Sequence, residues 1–160
     1  MLKYRLLTDE ELKELEHEFK QFLIVNEVYD EEWRKLNAEN SKKVDELIVL
    51  FSNLIIEKSL KKIMFLELVT EEGIKAFHYK ENEAILIGIA SAQKNINFLT
   101  VSTEKLTTAP LKIYSVTKKY EASREEEVFK MLQSGAGIID EQRFRQLELA
   151  YEYSTQKKQN

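Results

Sequence analysis

The chain has 160 residues, a formal net charge of -4, 24 basic against 28 acidic side chains, and no cysteine. That length suits one domain with a real core, and the mixed charge argues against wholesale disorder. Without cysteine there are no disulfides, thiol nucleophiles or thiolate metal sites, and an acidic balance disfavours a general nucleic-acid binder. No apolar run approaches the ~20 residues a membrane span needs. Ile48 to Ile56 is interrupted by Ser52 and Asn53, and Met1-Leu2-Lys3-Tyr4-Arg5 lacks the apolar stretch of a signal peptide, so a cytoplasmic location is expected.

The first helix signal is Thr8, with Glu11 three residues on: a capping box, with Leu7 and Leu12 at the positions of a hydrophobic staple. Leu12, Leu15, Phe19, Phe22 and Leu23 mark one face of a helix running to about Val25 or Asn26. Asp30 is expected to cap a short second helix carrying Trp33 and Leu36. Ser41 to Lys62 is the third and best-defined helix. Its apolar stripe is Val44, Leu47, Ile48, Phe51, Leu54 and Ile55, widened by Leu50, Ile56 and Leu60. It is the expected core helix, on which a sheet and the other helices pack.

From Ile63 the pattern changes to a period of two. Ile63 to Val69, Ile74 to Lys80 and Ala84 to Ala90 read as strands joined by short turns. The third is apolar in both parities, as for a strand covered on both faces. Asn97 to Val101 reads as a weaker strand and Ser102 to Pro110 as loop. Leu111 to Tyr120 is a strand whose Lys118 and Lys119 suggest a sheet edge. Ser123 and Glu126 form another capping box, and Gly135 is placed to end that helix in a left-handed conformation. Asp140 can cap a last helix with Phe144, Leu147 and Tyr151 on its apolar face, and Ser154 to Asn160 is a polar stretch expected to fray.

The expectation is therefore an α+β fold: an N-terminal three-helix segment, an antiparallel meander of four or five strands, and two C-terminal helices. The helices form a single layer on one sheet face. Residues 1–153 are one domain and 154–160 a flexible tail.

Lys3-Tyr4-Arg5, Leu7-Thr8, Glu10-Glu11-Leu12, Leu15-Glu16, Glu18-Phe19 and Phe22-Leu23 resemble the opening of a family of small bacterial proteins of unknown function. Trp33, Glu46-Leu47, Leu50-Phe51-Ser52, Arg124-Glu125-Glu126 and Phe129 are similar too. The resemblance covers most of the chain and implies no activity, ligand or catalytic residue.

The chemistry-bearing motifs are sparse. Glu14 and His17 make half of a helical di-iron motif, but the only other histidine, His78, lies on a strand. Gly135-Ala136-Gly137 follows a helix where a dinucleotide loop would follow a strand. No Gly-x-Ser-x-Gly turn exists, so a hydrolase would need a polar pocket around His17 or His78. No catalytic residue, cofactor or metal is assigned.

Two features fit a binding role. Tyr29 and Trp33 stand beside or on a short, otherwise charged helix, as partner anchors or as a core lid. Lys112, Tyr114, Val116, Lys118 and Tyr120 share one face of a strand. The favoured reading is a non-enzymatic binding or accessory protein that docks on another protein or larger assembly. The alternative is an RNA- or ribosome-associated factor using the Lys112–Tyr120 strand and the Lys157-Lys158 tail. An unrecognised small hydrolase is the third.

Overall fold

A computed structural model describes residues 1–92 and 95–159, the last two by backbone alone. Asn160 and the Lys158 side chain, both in the expected tail, lie outside the described residues. The chain divides into two compact units, Met1–Ser59 and Leu60–Asn160.

In the first unit, α1 (Asp9–Glu14) begins at the expected capping box. The Glu11 N–H donates to Thr8 Oγ1 at 3.1 Å, and the Thr8 N–H donates to the Glu11 carboxylate at 2.9 Å. The predicted continuous helix is interrupted at Leu15 (φ -99°, ψ 22°), and α2 (Glu16–Val25) follows. No glycine or proline marks that break, which is why the periodicity ran through it. α2 ends in a Schellman motif: Val28 N–H donates to Leu23 O and Glu27 N–H to Ile24 O. Glu27 takes the left-handed position with φ 60°.

α3 (Asp30–Glu39) is capped one residue earlier than expected. Tyr29 is the N-cap and makes no side-chain bond, so Asp30 instead joins Glu31 and Glu32 as first-turn acids facing the positive helix end. α4 (Ser41–Lys61) is the long helix, with Asn40 Oδ1 accepting from Lys43 N–H at 3.1 Å.

The stripe on α4 is narrower than its composition suggests. Val44, Leu47, Phe51, Ser52 and Ile56 are buried, whereas Leu50 and Leu54 are half exposed. The neighbours on one side are aromatic. Phe51 packs against Phe19 (4.9 Å) and Phe22 (5.3 Å), and Phe19 meets Trp33 edge-on at 5.3 Å. On another side lies the N-terminal segment. The Leu7 N–H donates to the buried Ser52 Oγ at 3.0 Å, and Asn53 bonds both Lys3 N and Met1 O at 2.9 Å. Ser52, which looked like an interruption of the apolar run, is therefore the buried acceptor for this strap.

The second unit is an antiparallel five-stranded sheet in the order β4-β3-β2-β1-β5. The strands are β1 (Phe65–Thr70), β2 (Gly73–Tyr79), β3 (Glu83–Ser91), β4 (Leu111–Lys119) and β5 (Gly137–Ile138). The expected α+β class, antiparallel pairing and edge position of β4 all hold. Asn97 to Val101 is not a strand. Asn97 Oδ1 accepts from Leu99 N–H, and Asn97 O from Thr100 and Val101 N–H, so these backbone donors close a local turn. The expected loop contains a short helix, α5 (Thr103–Thr108), capped by Ser102.

α6 (Arg124–Gln133) opens with the Ser123–Glu126 capping box and closes in a Schellman motif at Gly135, φ 102°. After that cap the chain turns straight into β5, which pairs Leu66 with Ile138. α7 (Glu141–Gln159) is capped by Asp140 and runs on through the stretch expected to fray.

The layering departs from the expected single layer. Phe144 and Leu147 of α7 pack on Ala76 and Ile87, on the sheet face that also carries Phe65, Ile85, Ile89 and Ile113. Met131 and Glu127 of α6 instead line a cavity with Phe77, Tyr79 and Ala84, residues of opposite parity. The physical reason lies in β3: Ala84, Leu86 and Ile87 are all buried, so both faces need cover.

Candidate functional site

Residue 88 is a glycine for a reason visible on β4. Its cross-strand partner is Tyr114, and a Cβ at Gly88 would run into the Tyr114 ring. The ring therefore lies across the sheet above Gly88 and does not project outward. Tyr120 is also engaged. Its hydroxyl donates to Lys80 O (2.7 Å) and Glu83 O (2.9 Å), and its ring stacks on Tyr79, which stacks on Phe77. Burial pushes the Tyr79 and Tyr120 phenols above their ordinary range, and the Tyr120 hydroxyl keeps the proton it donates.

Other residues of the same strand are open to solvent. Lys112, Val116 and Lys118 are exposed on the Tyr114 face, with Lys119 exposed on the opposite one. The register sets Lys112 beside Ala90 and Lys118 beside Ala84, so no cross-strand acid answers either charge, whereas Lys119 faces Glu83. β4 bonds to β3 along all nine of its residues, and its outer edge has no strand partner among the described residues. This is an open ladder of backbone groups flanked by two lysines.

Tyr29 and Trp33 belong to the first unit. Tyr29 is 54% exposed, while Trp33 is half-buried against Phe19 and acts as a lid on the aromatic cluster.

Glu14 and His17 fall on different helices, α1 and α2, and both are exposed. Among the described residues no three His, Asp or Glu side chains converge as a metal site would require. His78 is different. Its ring stacks on Phe65 at 4.5 Å and meets Phe144 edge-on at 5.5 Å, beside a cavity of about 200 Å³. Burial, then the charge of Lys80, pull the imidazole below its usual value, against Glu148 and Glu141. That cavity is otherwise lined by Ile85, Lys80, Glu141, Arg145 and Glu148, and none of its lining residues carries a hydroxyl nucleophile. Sequence reasoning named His78 but not the walls of its cavity, which come from β1, β2, β3 and α7.

Residues 1–152 match DUF6495, a family of unknown function. The chain belongs to that family. No curated protein and no solved structure matches it. The DUF6495 match spans both compact units and leaves only the end of α7 beyond it.

No helix among the described residues is long and apolar enough to cross a membrane.

Proposed function

We propose that this DUF6495 protein is a non-enzymatic binding or accessory protein of the cytoplasm that docks on another protein or larger assembly through β4. The observation that carries the reading is the nine-residue strand at the sheet margin, with no strand partner on its outer side among the described residues. Such an edge binds extended backbone by strand addition, with alternate side chains supplying specificity. A long edge is a template for pairing with another chain, and this one carries Lys112, Lys118 and Lys119.

An RNA-binding use of the same strand is the weaker reading. Stacking bases needs free aromatic faces, whereas Tyr114 is laid over Gly88 and Tyr120 is bonded to two carbonyls and stacked on Tyr79. The hydrolase reading is weaker because no residue lining the His78 cavity carries a hydroxyl nucleophile.

The test is a photo-reactive amino acid placed at Val116 in the full chain, with the exposed Gln133 at the end of α6 as a control position. Reaction of the Val116 probe with one defined protein, absent at Gln133, supports the reading. An RNA adduct at Val116, or equal labelling at both positions, overturns it.

A further inference from the structure

The β4 edge has a charge pattern that selects what can add to it. On the Tyr114 face the order along the strand is Lys112, Tyr114, Val116, Lys118: a cation, two apolar side chains and a cation at alternate positions. Both lysines are exposed, and neither has an ion pair among the described residues. Val116 is 43% exposed between them. Side chains of an added strand stand directly beside these four, where opposite charges attract and like charges repel.

A second copy is a poor occupant. The fullest antiparallel self-pairing of β4 is centred on Ser115, and by symmetry it sets Lys112 against Lys118 twice. Two like-charge pairs at the ends of the ladder oppose that dimer.

Resting on the docking reading above, we infer that the partner is an extended segment of another protein. It carries carboxylates six residues apart with apolar side chains at the two alternate positions between them. The carboxylates meet Lys112 and Lys118, and the apolar pair covers Val116 and the Tyr114 edge. In antiparallel addition the backbone groups of that segment that bond β4 belong to the positions between these side chains.

The test uses the full chain and three synthetic peptides as long as β4. The first carries Glu at the two outer positions and Val at the two inner ones. The second has Lys for Glu. The third keeps the Glu and Val residues but has proline at the intervening positions. Binding is read by fluorescence anisotropy and by amide hydrogen exchange along β4. The acidic peptide should bind about tenfold or more tighter than the lysine peptide and slow exchange in β4. The Lys112→Glu, Lys118→Glu double variant should reverse that preference; its lysines are exposed, and its circular dichroism checks that it is folded. The inference is overturned, with the docking edge intact, if the lysine peptide protects β4 equally well or if the unaltered chain dimerises with β4 protected. If the proline peptide binds as well as the acidic one, or none slows exchange in β4, both the inference and the docking reading fall.

Discussion

Glu27 shows what a single residue contributes when its backbone is forced. The Schellman motif that ends α2 needs a left-handed residue, and a glutamate there carries the steric cost of a Cβ beside the next carbonyl. Glu27→Gly should raise stability by about 0.5–1 kcal/mol, after the extra unfolded-state freedom of glycine is subtracted, measured by urea denaturation. Ser52 is the opposite case. Its Oγ is the acceptor for the buried Leu7 N–H, so Ser52→Ala leaves that donor without a partner. The expected loss is about 1–3 kcal/mol, and hydrogen exchange at Leu7 should quicken more than at the α4 amides. Glu11 is held by the Arg5 guanidinium and the Thr8 N–H, which bring its carboxyl down to about 2.

Among elements, α6 is tied to its surroundings by one side chain. The Arg124 guanidinium donates to Leu60 O and Ile63 O, at and just past the end of α4, and to Tyr79 O at the end of β2. The fork spreads its donors over two nitrogens, Nη1 toward Leu60 O and Nη2 toward Ile63 O and Tyr79 O, whereas an ammonium gathers its three donors on one nitrogen. Arg124 is largely buried, with its side chain 12% exposed. Arg124→Lys should therefore cost about 2–3 kcal/mol in chemical denaturation, and Arg124→Ala at least as much. Elsewhere it is the element that decides what a residue does. Gly88 would weaken an isolated strand, but it is a necessary choice once β4 lays Tyr114 across it.

For the whole molecule, His78 sets the direction of the pH dependence near neutrality. Burial between Phe65 and Phe144 is the main cause of its lowered pKa, and Lys80 is the second. Glu148 and Glu141 oppose the shift, and Arg124 adds a small push in the same direction as Lys80. The native state thus prefers the neutral ring. Its contribution to stability is present above the ordinary value of 6.5 and is lost as pH falls through the native value below it. Melting temperature should fall as pH drops below about 6.5 in low-salt buffer, and His78→Gln should flatten that part of the curve.

Much of this was legible in the chain because the signals are local. Capping boxes at Thr8 and Ser123, the glycine cap at Gly135, the 3.6-residue stripe on α4 and the alternation in β1 to β4 each lie within a few residues, and each corresponds to an observed element. The lysine pattern of β4 and its edge position belong to the same class. What the chain alone could not disclose depends on partners far along it. The pairing of β5 with β1, the burial of Ser52, the exposure of Leu50 and Leu54, and the covering of both sheet faces follow from contacts between distant segments. So does the state of Tyr114 and Tyr120. Composition marks them as available aromatics, and only cross-strand neighbours and carbonyl acceptors reveal that their faces and hydroxyls are already taken. Spacing along a chain determines which residues share a face, but burial and free valence are decided by what packs against that face.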